Sequence, residues 1–285
     1  MPSYSQLIDT HQLSELIKSG PFPAIFDCRF DLTATTIGEV RYREGHLPGA
    51  RFLNLDRDLS GAKNGLNGRH PLPERENFVA RLRELGLNRG QQVVVYDDQD
   101  GMFAARAWWL LRWLGHSKVA VLDGGLSAWQ AAGNSLDTNA PLVSIGDFES
   151  ATSGVATVER EEILSNLVNG GQFTIIDARA PDRFAGENES IDARAGHIPG
   201  AFNRFFRKNL DPSGRFKSAE DLRNEFRGLL GDRLESTVVH QCGSGVTACH
   251  NLLAMEIAGI SKTKLYPGSW SEWSSYSMSP IDMGS

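Results

Sequence analysis

The chain has 285 residues, enough for about two domains, with 40% apolar and 22% charged residues and no low-complexity stretch. Its net charge of -6 argues against a general nucleic-acid partner. No run of about 18 apolar residues exists to span a membrane, because Arg106 and Arg112 interrupt the most apolar segment, residues 104–114. Three cysteines in a chain this long do not make a disulfide framework, and the first twenty residues lack the basic start and apolar run of a secretory signal. The expected setting is the reducing cytoplasm, where a free thiol can act.

In chain order, short β-branched runs predict strands at 24–26, 93–96 and 119–122, and amphipathic spacing predicts helices at 74–85 and 103–114. Gly86 and Gly115 are placed to stop those helices. Strands are then expected at 174–176, 237–240 and 264–266, with helices at 219–230 and 246–258, the latter stopped by Gly259. Strand–helix alternation of this kind predicts an α/β fold with a mainly parallel sheet flanked by helices on both faces.

The second set of elements repeats the first at an offset of about 144–151 residues. Ile25-Phe26-Asp27-Cys28-Arg29 resembles Ile175-Ile176-Asp177-Ala178-Arg179, and Gly45-His46-Leu47-Pro48-Gly49-Ala50 resembles Gly196-His197-Ile198-Pro199-Gly200-Ala201. Gly115-His116-Ser117-Lys118 matches Gly259-Ile260-Ser261-Lys262, and Gly124-Gly125-Leu126-Ser127-Ala128-Trp129 matches Gly268-Ser269-Trp270-Ser271-Glu272-Trp273. The copies meet in residues 134–156, which are small and polar. The expected organisation is a first domain over 1–135, a linker over 136–156 and a second domain over 157–285.

The segment Thr237-Val238-Val239-His240-Gln241-Cys242-Gly243-Ser244-Gly245-Val246-Thr247 runs from an apolar strand through a Gly-x-Gly loop into a helix. Open α/β sheets bind ligands at the C-terminal ends of their strands. A helix N-terminus carries roughly half a positive charge and unpaired N–H groups, which can lower a cysteine pKa into the range of roughly 3.5–7.5. Cys242 is the candidate nucleophile. Aligning the copies places Asp97 opposite Cys242, and a carboxylate cannot be a sulfur nucleophile. It is also expected to be poorly placed at a helix mouth meant for anions. The first domain is therefore expected to be inactive and to supply one wall of the site, with Met102 and Phe103 as apolar candidates.

These motifs resemble those of tandem rhodanese-type sulfurtransferases over roughly Leu7 to Trp273, and the loop Cys242-Gly243-Ser244-Gly245-Val246-Thr247 is similar to that of the 3-mercaptopyruvate branch. The resemblance implies attack of Cys242 on a small-molecule sulfur donor, a persulfide, and release of pyruvate. The outer sulfur then passes to a thiol, a thioredoxin-like acceptor or cyanide. It implies neither a metal nor an organic cofactor. It assigns Gly243, Ser244, Gly245, Val246 and Thr247 to the substrate loop, and Arg183 to the donor's carboxylate. A second arginine some nine residues later is missing from Gly186-Glu187-Asn188-Glu189-Ser190-Ile191-Asp192, which leaves Arg194 as a stand-in or as a surface cation. Ser244 is implied in a hydroxyl relay with a histidine, which His46 matches. Because Gly-His-x-Pro-Gly-Ala occurs in both copies, His46 and His197 also read as structural. Arg29 and Arg179 read as structural ties, and Cys28 and Cys249 as packing.

The alternatives are a thiosulfate:cyanide sulfurtransferase, a phosphatase and a non-enzymatic sulfur carrier or binding module. Thiosulfate is a dianion, and rhodaneses that prefer it carry cations where this chain has Gly243 and Ser244. A Cys-x5-Arg phosphatase needs an arginine where this chain has Ala248. An intact cysteine loop disfavours a mere carrier. Zinc on His240, Cys242, Cys249 and His250 is disfavoured by their spacing.

Overall fold

The four-residue apolar runs form the centres of two parallel sheets in the computed structural model, which describes residues 3–284. One compact unit comprises the chain up to residue 61, 73–154 and 212–216; the other comprises 62–72, 155–211 and the chain from 217 onward. The first contains β1 (Leu7–Ile8), α1 (Thr10–Ser19), β2 (Ala24–Asp27), α2 (Ile37–Glu44), β3 (Arg51–Phe52), α3 (Arg75–Glu84), β4 (Val93–Tyr96), α4 (Ala104–Trp113), β5 (Val119–Leu122) and α5 (Gly125–Ala131). The second contains β6 (Ala156–Thr157), α6 (Arg160–Val168), β7 (Thr174–Asp177), α7 (Pro181–Ala185), β8 (Phe202–Asn203), α8 (Ala219–Leu230), β9 (Val238–Gln241), α9 (Thr247–Ile257), β10 (Lys264–Leu265) and α10 (Ser269–Trp273).

The strand orders are β1-β5-β4-β2-β3 and β6-β10-β9-β7-β8, with every pairing parallel. The register repeats too: Ala24 faces Val93 and Asp27 faces Tyr96 in one sheet, as Thr174 faces Val238 and Asp177 faces Gln241 in the other. All four residues of β2, β4, β5, β7 and β9 are buried, as a sheet covered on both faces requires. Leu122, Tyr96 and Trp129 anchor the first core, and Tyr266, Trp270 and Trp273 the second.

Asp27 lies fully buried at the end of β2 and is held by Arg29, whose Nη2 donates to Oδ2 at 2.6 Å and also to the Gly45 carbonyl at 2.6 Å. Arg179 repeats this with Asp177 at 2.7 Å and the Gly196 carbonyl at 2.8 Å. The Asp-x-Arg motif is thus a strut to the glycine of Gly-His-x-Pro-Gly-Ala. The histidines repeat as well. His46 stacks on Tyr42 at 4.0 Å with Nδ1 2.7 Å from that residue's carbonyl, and His197 stacks on Phe184 at 3.7 Å with Nδ1 2.9 Å from that carbonyl.

Residues 146–154, read from sequence as part of a linker, pack along the first unit instead of forming a tether. Gly146 N donates to Arg83 O, Phe148 N to Leu87 O and Ala151 N to Leu114 O, and the Phe148 ring is buried. Each unit also takes a short segment from within the other repeat's stretch of sequence, 62–72 in one case and 212–216 in the other.

One buried group in β9 sets a pH dependence. His240 is fully buried with Nε2 2.9 Å from Met255 Sδ. Burial, with Arg204 adding to it, pushes its imidazole pKa down to about 3. The unfolded chain takes up that proton near an ordinary histidine pKa of about 6.5. Between those values the unfolded state binds more protons, so stability is full above the window and falls as pH drops through it. The expected slope is about 1.4 kcal/mol per pH unit. His240→Leu is expected to flatten the pH dependence of urea-unfolding stability between about pH 6 and 4 by that slope. Identical slopes in the two proteins would contradict the assignment.

Candidate active site

The loop after β4 shows what this position in the fold does to an anion. Asp97 is buried, and its carboxylate accepts N–H bonds from Gln99 at 2.8 Å, Gly101 at 2.9 Å, Phe103 at 2.8 Å and Ala104 at 2.9 Å. Burial raises its pKa while the amides of Ala104, Gln99, Gly101 and Phe103 pull the other way. The expectation that a carboxylate is poorly placed here is therefore corrected: backbone amides at the mouth of α4 satisfy it. Phe103, expected as an apolar wall of the site, donates its N–H to Asp97 and packs edge-on against Phe30 at 5.5 Å inside the first unit.

Cys242 stands at the equivalent point of the second unit, one residue beyond β9 and five before α9. It is 2% exposed. Its loop is held from behind by α10: Trp270 N donates to Cys242 O at 2.9 Å and Ser271 N to Gly243 O at 2.9 Å. Cys242 N donates to Ser269 Oγ at 3.1 Å, and Ser269 keeps a φ of +55°, a backbone strain tolerated where the surrounding structure fixes it. Gly245 has φ +74°, and a Cβ there would meet the Pro267 carbonyl oxygen, so a larger residue is excluded twice over.

Gly243 is required for another reason. A Cβ on it would lie 2.8 Å from Arg69 Nη2 and 3.6 Å from Arg183 Nη1. Two guanidinium groups therefore press against the nucleophile loop. Arg183, expected from the sequence, comes from α7. Arg69 was not expected; it comes from residues 62–72, whose Arg69 N donates to Ser271 Oγ at 3.0 Å. Burial pulls the Arg69 guanidinium below the usual arginine range, Cys242 opposing and Arg183 adding to the effect. An arginine stays charged at neutral pH despite such a shift.

The same segment brings His70, whose Nδ1 is 2.7 Å from Ser244 Oγ. The histidine that meets Ser244 is thus His70 and not His46. His46 belongs to the first unit, with its ring stacked on Tyr42 and Nδ1 spent on the Tyr42 carbonyl, the same arrangement His197 makes. Arg194 is also corrected. Its guanidinium donates to the carbonyls of Trp273, Ser274, Tyr276, Ser277 and Ser279, so it clamps the C-terminal turn and has no fork left for a ligand. His240 and His250 face Met255 and Asn209, and Cys249 Sγ lies 3.3 Å from the Gly245 carbonyl, so these side chains do not converge with Cys242.

Two carboxylates complete the site. Asp192 Oδ2 accepts from Arg183 Nη2 at 3.0 Å, and Asp192 Oδ1 pairs with Arg69 Nη1. Glu189 binds Arg183 Nη2 at 2.8 Å and Arg179 Nη1 at 3.4 Å. The segment 186–192, which holds no arginine, thus supplies acids to the arginines around it.

Arg69 and His70 lie in a polar, glycine-rich stretch without periodicity, 174 residues from Ser244 in the case of His70. One signal was present. Gly68-Arg69 repeats as Gly214-Arg215, within the offset of the other motifs. A Cβ at Gly68 would meet Gly268 O at 2.7 Å in the second unit, and one at Gly124 would meet Arg215 Cγ at 3.4 Å in the first.

The rhodanese-like domain family matches residues 9–132 and 160–276. A protein of Pseudomonas aeruginosa named "Probable 3-mercaptopyruvate sulfurtransferase" is 44% identical over 284 residues, 99% of each chain. A thiosulfate sulfurtransferase of Rattus norvegicus is 32% identical over 280 residues, 95% of this chain and 92% of that one. The solved 3-mercaptopyruvate sulfurtransferase of Leishmania major superposes with a TM-score of 0.84 at 30% identity, covering 99% of this chain and 78% of that chain. No helix among the described residues is long and apolar enough to cross a membrane.

If Arg69 acts on anions approaching the thiol, removing it must discriminate by charge. Arg69→Met is expected to slow alkylation of Cys242 by iodoacetate at least about threefold relative to neutral iodoacetamide, with the adduct assigned by peptide mass. An unchanged ratio would exclude that role.

Proposed function

The chain belongs to the rhodanese-like domain family, and on that premise we propose that it is a sulfurtransferase that takes sulfur from 3-mercaptopyruvate through a Cys242 persulfide. One arrangement carries this reading: a cysteine on the strand-to-helix loop Cys242–Thr247 with the Arg69 and Arg183 guanidinia against Gly243. A thiolate there is a nucleophile, and a planar guanidinium pair suits a carboxylate.

In the proposed cycle the Cys242 thiolate attacks the donor's sulfur. The S–S bond forms as the C–S bond breaks, and the electron pair leaves on carbon as the pyruvate enolate. The thiol proton of the donor ends on that carbon, giving pyruvate and leaving an anionic persulfide on Cys242. The Ser244–His70 pair, 2.7 Å apart, is placed to pass this proton through a hydroxyl. Arg69 and Arg183 hold the donor's carboxylate, and the cations and the α9 N-terminus stabilise the persulfide's charge. A thiolate or cyanide then takes the outer sulfur, giving a new persulfide or thiocyanate and restoring the Cys242 thiolate. The first unit is proposed to be catalytically inactive, since Asp97 fills the position of the thiol. We place the protein in the reducing cytoplasm, which suits its three free cysteines.

Thiosulfate is the second reading, favoured by the rat relative. Charge argues against it as the better donor. Among the described residues, Arg69, Arg179 and Arg183 around the loop are matched by Asp177, Glu189 and Asp192, so these three arginines offer no net positive charge to a dianion. One unit-charge contact at 4 Å is worth about 4 kcal/mol at an effective dielectric of about 20, and a third of that is about tenfold in rate.

Intact-mass analysis after addition of mercaptopyruvate is expected to show one added sulfur on the Cys242 peptide together with pyruvate release, and Cys242→Ser is expected to abolish both. Pyruvate release by that variant at near the parent rate would overturn the assignment. In steady state, kcat/KM for mercaptopyruvate is expected to exceed that for thiosulfate by at least about tenfold; the reverse ranking would favour the second reading.

A further inference from the structure

A single carboxylate bridges the two guanidinium groups that flank the nucleophile loop. Asp192 presents Oδ1 to Arg69 and Oδ2 to Arg183 at 3.0 Å. Its side chain is 2% exposed, whereas those of Arg69 and Arg183 are 27% and 20% exposed. The same two guanidinia are the ones a Cβ on Gly243 would strike, next to Cys242. A carboxylate seated between two arginines beside a sulfur nucleophile is the geometry expected of a bound donor acid.

We propose that Asp192 is an internal competitor that occupies the seat of the donor's carboxylate and must be displaced for the donor to bind. The proposal deepens the reading of Cys242 as the sulfur-accepting residue and rests on it. Asp192 is suited to leave. It lies at the end of a short turn in which Glu189 accepts the N–H groups of Ile191 and Asp192 at 3.0 Å, and Gly186, in the left-handed region at φ +84°, opens that turn. When Asp192 moves away, Glu189 still pairs with Arg183 and Arg179, so Arg183 keeps its placement while Arg69 loses its carboxylate.

This sets donor specificity in two ways. A ligand that lacks a flat, two-oxygen anion cannot replace Asp192 on both guanidinia at once, so a neutral thiol leaves the gate closed. A donor that does replace it gives back the ion pairs it breaks, so its apparent affinity is lowered by the population of the closed arrangement.

The experiment compares Asp192→Asn, which keeps the shape and removes the charge, with the parent enzyme. Freed of competition, the variant is expected to bind mercaptopyruvate with a KM at least about threefold lower. It is also expected to react with iodoacetate at Cys242 at least about threefold faster relative to iodoacetamide. A residue that merely positioned Arg69 and Arg183 would raise KM when changed, and a raised KM or a ratio unchanged or lowered would overturn the proposal. Asp192→Ala provides the same two readings should the asparagine variant fold poorly. The alkylation ratio needs no turnover. A parent protein that releases no pyruvate would therefore sink the sulfurtransferase reading while the ratio still decides the role of Asp192.

Discussion

An anion held where a central strand gives way to a helix is the interaction on which this molecule is built. In the first unit the position is filled by a carboxylate of the chain itself. Asp97 sits in the position and closes four amide bonds on itself, so the loop needs nothing from outside. In the second unit the position belongs to a thiol, and the charge is supplied by guanidinia against Gly243. The same loop position therefore holds a carboxylate satisfied by its own backbone amides in one unit and a thiol beside arginines in the other.

Duplication also separates architecture from chemistry. Whatever occurs in both units is needed to build a unit. The Asp27–Arg29–Gly45 and Asp177–Arg179–Gly196 struts occur in both, as do the stacked histidines. A buried carboxylate without its arginine would be an uncompensated charge, which typically costs about 3–5 kcal/mol, so these struts are hard to vary once present. The loop and its surroundings differ between the units in the groups that bear on chemistry. Ser244 with His70, the bridging Asp192 and the thiol itself have no copy in the first unit's Asp97 loop.

The sequence made the sheets legible because buried parallel strands are unbroken apolar runs, and because repeated motifs locate each run twice. The strands β1, β3, β6 and β8 fell below that signal, since two residues have no period to read, whereas β10 lies within the run expected at 264–266. The loop that holds Cys242 was legible through local grammar, a strand, a Gly-x-Gly turn and a helix. His70 and Arg69 were not, because their role depends on a polar segment packing in the unit whose other residues come from much later in the chain. The Gly-His-x-Pro-Gly-Ala motif of His46 serves packing, with the ring stacked on Tyr42. Residue type and proximity point to Arg194, but nearby carbonyls take its donors, which no sequence pattern shows.

The charge balance at the loop follows from that unforeseen segment. Arg69 adds a second cation beside Arg183, which by itself would favour a more highly charged donor. Asp192 and Glu189 cancel the gain while leaving the two guanidinia in place and parallel in function. A site made of cations alone would hold any small anion, including a carboxylate product that must leave. A site whose cations are already paired binds only what can exchange for the internal partner, and the returning carboxylate helps to expel the product. Affinity is given up for selectivity and release, a trade that turns on Arg69, which reaches Asp192 from a distant part of the chain, whereas Arg183 and its acids lie within one short segment.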